Sequence, residues 1–152
     1  MAPPPELSLD RFLPYRLSVT ANLVSDRIAT AYQALFGLRI PEWRLIAVLA
    51  ESGPATQQTL VQRTRMDKVT ISRAAIALVT RGLVDRTPHA SDARSRLLEL
   101  SADGRTLYEK VVPKALELEQ QMLAGLSKSD VTTLFALLER LEQTALEDGE
   151  AV

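Results

Sequence analysis

Ser91 to Leu98 (S-D-A-R-S-R-L-L) constrain this chain more than any other stretch, because of what flanks them. Before them comes a helical run, Asp67 to Gly82 (D-K-V-T-I-S-R-A-A-I-A-L-V-T-R-G). Two short apolar segments, Leu83-Val84 and Leu97 to Leu100, bracket the arginine-bearing loop and predict a hairpin. A polar-faced helix followed by an arginine-tipped hairpin can place one element in a DNA major groove and the other in the minor groove. DNA binding is therefore the leading expectation.

The rest of the chain narrows the alternatives. Its 152 residues suit a single domain. No apolar run approaches the roughly 20 residues that span a bilayer. Met1 to Glu6 (M-A-P-P-P-E) has neither a basic region nor an apolar one, so it does not read as a signal peptide, and the cytoplasm is expected. There is no Cys, which excludes disulfides and thiolate zinc sites, and one His, His89, cannot supply a His-rich metal site or a triad beyond one member. No cofactor and no metal are expected. The net charge of −1 hides an asymmetry. Between Pro54 and Leu100, Arg63, Arg65, Lys68, Arg73, Arg81, Arg86, Arg94 and Arg96 outnumber Asp67, Asp85, Asp92 and Glu99 by four. A basic middle between acidic ends suits a local polyanion-binding surface.

Periodicity predicts six helices and one hairpin, a mainly α fold with a small β-wing. Residues 1–8 read as a disordered arm and 9–152 as one domain. Apolar residues at Leu9, Leu13, Leu17, Val24, Ile28, Ala31 and Leu35 predict a long first helix from Leu9 to Phe36, with Pro14 kinking it or marking its first turn and Gly37 ending it. Pro41 opens a second helix at its first position, and Trp43 to Ala50 (W-R-L-I-A-V-L-A) is apolar enough all round to be buried. Thr56 caps a short third helix to about Thr64, and Asp67 caps the fourth. Val84–Thr87 and Arg96–Leu100 form the strand pair, with Pro88 to Ser95 as a protruding loop. Ser101 caps the fifth helix, to about Ala124, which Pro113 should bend. Ser127 and Asp130 fit a capping box for the sixth.

The fourth helix carries the chemistry. At about 100° per residue, Ile71, Ala74, Ala75 and Leu78 form its core stripe. Lys68, Val69, Thr70, Ser72 and Arg73 form the N-terminal end of the other side. A recognition helix presents such residues to base edges. Arginine can take guanine O6 and N7 together, Thr and Ser serve either base type, and Val69 can touch a thymine methyl. The third helix would cross the backbone with Thr56 and Gln57 at an N-terminus suited to phosphate. Arg94 is the minor-groove candidate, Asp92 pairs with Arg94 to shape the loop, and Arg96 and Arg86 reach phosphates. A polar solvated face accounts better for the helix taken alone; the hairpin that follows and the local charge favour DNA.

The chain resembles the MarR family of bacterial winged-helix regulators from about Leu9 to Leu146. The specific stretch is Asp67 to Tyr108, with the wing pattern Asp-x-Arg then Leu-(Thr or Ser)-x-x-Gly at Asp92, Arg94, Leu100, Ser101 and Gly104. Arg39-Ile40-Pro41 departs from the capping Ser or Thr of many relatives, and Pro113 falls in a dimer helix. The resemblance implies a winged helix-turn-helix module, residues 41–100, held in a homodimer by helices at 9–36 and 101–147. A twofold dimer implies a pseudo-palindromic operator on double-stranded DNA. The segment Leu13 to Leu49 looks most like members that control aromatic-acid catabolism. This implies a repressor released by a small aromatic carboxylate or an aryl-CoA thioester. An aryl carboxylate wants flat apolar walls and a cation, for which Tyr15, Arg16, Tyr32, Phe36, Trp43 and Arg44 are candidates. Core packing explains Phe36 and Trp43 as well, and a salt bridge explains Arg44. A different effector, with control of efflux or stress genes, is the nearest alternative. A winged-helix module that binds only protein is another. An enzyme is disfavoured, since no phosphate loop, Cys nucleophile or second His is present.

Overall fold

The computed structural model describes residues 1–89 and 92–150, with the backbone alone at 89, 92–95 and 148–150. Its contacts divide the chain into two units, Met1–Val111 and Val112–Val152. A single 3₁₀ turn, Leu9–Arg11, precedes α1 (Leu13–Phe36). Then follow α2 (Ile40–Ser52), β1 (Ala55–Thr56), α3 (Gln57–Thr64), α4 (Lys68–Thr80), β2 (Val84–His89), β3 (Asp92–Leu100), α5 (Ala102–Leu123) and α6 (Lys128–Glu150).

Helix ends follow their capping chemistry. The expected helix from Leu9 is interrupted at Phe12, which is extended (φ −92°, ψ 109°), so Pro14 falls in the first turn of α1 where its missing N–H costs nothing. Gly37 ends α1 in the left-handed region (φ 63°) and returns its N–H to the Gln33 carbonyl. Pro41 is the second residue of α2, not the first. At the Arg39 departure the cap comes from within the helix: Glu42, 8% exposed, accepts the Arg39 backbone N–H at 3.0 Å. The Ser127 and Asp130 box forms in full, at 3.0 and 3.1 Å.

Leu45, Ile46 and Leu49 of α2, Leu60 of α3, Ile71, Ala74, Ala75 and Leu78 of α4, and Leu98 of β3 make the core of the first unit. The expectation of all-round burial for Trp43–Ala50 is corrected. Trp43 is half-buried and Arg44 exposed, because α2 packs its Leu45-Ile46-Leu49 face inward and leaves the other side open. The sheet order is β1-β3-β2, antiparallel throughout, with Ala55 opposite Leu98 and Val84 opposite Leu100. Strand β1 was not expected. The hairpin strands run further than Thr87 and Arg96: His89 pairs with Asp92 after an irregularity between Pro88 and His89. The segment expected as a loop from Pro88 to Ser95 is thus strand at 88–89 and 92–95, with Pro88, His89 and Asp92 paired.

Helix α5 starts against the base of this hairpin. Its capping Ser101 accepts the Gly104 N–H at 3.0 Å and donates to the Gly82 carbonyl at 2.6 Å. Helix α5 continues through Pro113 to Leu123. In the second unit, α6 leaves Leu134, Phe135, Leu137 and Leu141 each 39–58% exposed. No helix among the described residues is long and apolar enough to cross a membrane.

Candidate nucleic-acid interface

Two short helices and the turn between them build the surface. Thr56 caps α3 by accepting the Thr59 N–H at 3.2 Å. Arg65 closes α3 in a left-handed conformation (φ 59°), which turns the chain sharply into α4. Asp67 then caps α4, accepting the Thr70 N–H and the Thr70 hydroxyl, each at 2.8 Å. These bonds, the backbone N–H first, hold the Asp67 carboxyl below its ordinary pKa.

With the core stripe of α4 turned inward, Lys68, Val69 and Arg73 stand exposed, Val69 at 58%. Neither cation makes a hydrogen bond or ion pair among the described residues. Thr70 and Ser72 are half-buried, and the Thr70 hydroxyl is engaged in the cap. Gln57, Lys68, Val69, Ser72 and Arg73, expected from the sequence, line one groove of about 790 Å³. Gln58 and Val61 complete it. Val61 is legible as a helix neighbour of Gln57, four residues on; Gln58, one residue on, carries no such signal in the sequence. A second groove, about 640 Å³, runs along the other flank of α4, where Arg73 faces Gln33, Gly37, Arg39 and Glu42. An N-terminal helix end with two exposed cations and an apolar contact is suited to reading base edges between phosphates.

The wing is described in part. Arg86 on β2 and Arg96 on β3 are exposed. The side chains of Asp92 and Arg94, expected to pair, lie outside the described residues, as does that of His89. Two arginines of the basic stretch have other work. Arg63 donates to the Ser52 hydroxyl at 2.8 Å, and Arg81 donates to the carbonyls of Gly37 and Phe36 at 3.0 and 3.2 Å.

The candidate effector residues divide into two groups. Tyr32 packs edge-on against Phe36 (6.4 Å between centroids) and Trp43 (5.6 Å), and Trp43 stacks on Tyr108 at 5.8 Å and 17°. Tyr108 closes the ladder without having been assigned a role; an aromatic in register on a long helix carries no mark of its partner. Burial raises the pKa of the Tyr32 phenol and keeps it neutral. Arg44 is exposed at the next position after Trp43. Tyr15 and Arg16 lie at the other end of α1, about 25 Å of helix from Tyr32 at 1.5 Å per residue. Arg16 there donates to the Asp10 carbonyl at 3.1 Å. One chain does not bring them to the ladder.

The model of the MarR family matches residues 36–95, from the end of α1 through α4 and into β3 of the hairpin. The chain belongs to the MarR family. It is 31% identical to the HTH-type transcriptional regulator YxaD of Bacillus subtilis over 103 residues, 68% of this chain and 72% of that one. Its fold matches a MarR/EmrR family regulator from Acinetobacter sp. ADP1 at a TM-score of 0.85 and 28% identity, covering 93% of this chain and 99% of that one. A probable transcriptional regulator from Pseudomonas aeruginosa matches at 0.76 and 33% identity, covering 88% and 99%. The chain is thus a DNA-binding transcriptional regulator with a winged helix-turn-helix, not an enzyme.

Proposed function

We propose that the protein is a homodimeric repressor that reads a pseudo-palindromic operator and is released by a small aromatic carboxylate or its CoA thioester. The observation that carries the DNA-reading part is the exposed N-terminal face of α4, where Lys68, Val69 and Arg73 stand clear of the core beside Gln57. Arg73 reads a base edge, Lys68 and the α3 N-terminus at Thr56 and Gln57 hold phosphates, Arg94 enters the minor groove with Asp92 as its pairing partner, and Arg86 and Arg96 reach phosphates. Thr70 acts through the Asp67 cap and Ser72 from the groove wall. Escherichia coli MarR has been solved with operator DNA in this fold, at 22% identity and a TM-score of 0.79, which supports the reading.

The dimer is supported by the apolar faces left open on α1 (Leu13, Leu17, Leu23, Val24) and on α6, since contiguous exposed apolar surface marks interfaces. The effector class is supported by the Phe36–Tyr32–Trp43–Tyr108 aromatic cluster, whose Trp43 and Tyr108 rings stack, with the exposed cation Arg44 next to Trp43 in the chain. It is also supported by the chemistry bound to two proteins of the same fold. CouR of Rhodococcus jostii is solved with p-coumaroyl-CoA and Bordetella bronchiseptica BpsR is regulated by 6-hydroxynicotinic acid. An effector that prefers a dimer with wrongly spaced α4 helices weakens operator binding by that preference, about 1–3 kcal/mol.

The test uses a duplex selected by the wild-type protein from a random pool. Arg73→Ala should lower affinity for that duplex by about 1–3 kcal/mol and relax base preference at one position of each half-site. Wild-type affinity should fall steeply between about 50 and 200 mM salt. Titration with 4-hydroxybenzoate, p-coumarate and p-coumaroyl-CoA should release the duplex for at least one of them. A salt-independent affinity, or one indifferent to Arg73, removes the DNA-reading assignment; release by none of the three removes the effector class.

A further inference from the structure

We propose that Arg81 is a positioning residue for DNA binding: it ties the C-terminal end of α4 to the C-terminal end of α1 and so fixes the attitude of the recognition helix. The inference rests on the reading of α4 as that helix. Arg81 is the C-cap residue of α4. Its Nη1 donates to the Gly37 carbonyl at 3.0 Å and its Nη2 to the Phe36 carbonyl at 3.2 Å. Those carbonyls sit at the end of α1, where helical geometry leaves acceptors without intrahelical partners and a partial negative charge. The planar fork of a guanidinium reaches two such acceptors at once; an ammonium on a flexible stem does not hold that geometry.

Both ends of this link are locked. At α1, Gly37 is left-handed with its N–H on Gln33, and the next residue, Leu38, is fully buried and pins the turn in the core. At α4, the Gly82 N–H returns to the Val79 carbonyl and the Leu83 N–H to the Leu78 carbonyl, the paired closure that a left-handed Gly82 (φ 72°) allows. Arg81 therefore joins two fixed points that lie 44 residues apart in the chain. The link is exposed, so water can satisfy the carbonyls in its absence. What it supplies is direction. Arg73, the residue that reads the base edge, lies about 12 Å down the α4 axis at 1.5 Å per residue, so a tilt of roughly 5° about the Arg81 end moves it by about 1 Å. A hydrogen bond to a base edge does not survive a displacement of that size.

The decisive variant is Arg81→Lys in the full chain, because it keeps the charge and loses the fork. Binding is measured to the selected duplex and to an unrelated duplex of equal length across a salt series, with melting temperature followed in parallel. The expected result is a loss of about 3- to 10-fold on the selected duplex. Affinity for the unrelated duplex and the slope of log affinity against log salt should stay unchanged. Arg81→Gln should show at least the same loss on the selected duplex with the same slope. A slope that falls by about one in Arg81→Gln, with equal losses on both duplexes, identifies a phosphate contact and overturns the inference. Wild-type affinity in Arg81→Lys overturns it too. Arg73→Ala separates the two levels: if it also leaves affinity intact, the reading of α4 itself falls, whereas a loss there with none at Arg81 removes only the positioning role.

Discussion

Replacing Gly104 with Ala should destabilise the protein, although alanine is the better helix former. A Cβ built on Gly104 meets the Leu83 carbonyl oxygen at 2.0 Å, its carbon at 3.0 Å and Leu100 Cδ2 at 3.1 Å. The first contact is with backbone, so no rotamer change relieves it, and α5 and the Leu83 peptide must separate by about an ångström or more to restore van der Waals distance. That peptide is held. Its carbonyl accepts the Ser101 N–H at 3.1 Å, Gly82 before it accepts the Ser101 hydroxyl, and Val84 after it is 2% exposed and paired with Leu100. Forced overpacking costs about 1–3 kcal/mol, and losing the Ser101–Leu83 bond adds roughly 0.5–1.5 kcal/mol. The gain in helix propensity offsets about 1 kcal/mol. The net loss is about 0.5–3.5 kcal/mol, or roughly 1–14 °C in melting temperature at this chain length. Thermal unfolding at fixed protein concentration measures it. Gly125→Ala, which meets nothing within 4 Å, is the control and should be neutral or slightly stabilising. A Gly104→Ala protein that melts at or above the wild-type temperature refutes the argument. It would mean that the hairpin base yields freely, and with it the rigid seat of the wing.

Two further outcomes are expected. Asp67 has a folded pKa below its unfolded one, so the cap's contribution is complete above the ordinary carboxylate range and is lost as pH falls through the lowered value. Asp67→Asn keeps an acceptor but does not titrate, so melting curves from neutral pH to roughly 3 should show the wild type losing stability relative to the variant on the acid side; parallel curves would contradict this. Light scattering on a sizing column should give the wild type twice its 16.8 kDa chain mass, and Phe135→Asp with Leu141→Asp should move it toward the single-chain mass; a wild type already at the single-chain mass excludes the proposed interface.

The parts of the fold that were legible in the sequence are those with a local cause. All four stripe residues of α4 are buried, because a 3.6-residue period needs no knowledge of the partner surface. The caps at Thr56, Asp67, Ser101 and Ser127 were legible because each lies within three residues of the N–H it accepts. Strand β1 was not, since two residues cannot display alternation and its partner lies about forty positions on, at Leu97 and Leu98. The break at Phe12 was hidden because the apolar spacing of Leu9, Leu13 and Leu17 continues across it. For the site, the placing of Gln57 of α3 beside the start of α4 was anticipated through the helix-turn-helix resemblance; the meeting of Trp43 with Tyr108 was not.

The arginines show where counting charge misleads. Eight cations between Pro54 and Leu100 read as one polyanion surface, yet the end of a helix is itself an acceptor of partial negative charge, and it competes for guanidinium at short range. Arg81 answers the carbonyls at the end of α1, and Arg63 is engaged by the Ser52 hydroxyl, so each has a partner within the fold, as Lys68 and Arg73 do not among the described residues. Sequence gives every arginine the same charge; only the fold decides whether its five donors are spent inward. The charge left without a partner in the fold is therefore narrower than the composition of the segment suggests. On the proposed reading, Lys68 and Arg73 at the start of α4 are the part of it that positions a helix in a groove, rather than a whole face that attracts polyanions.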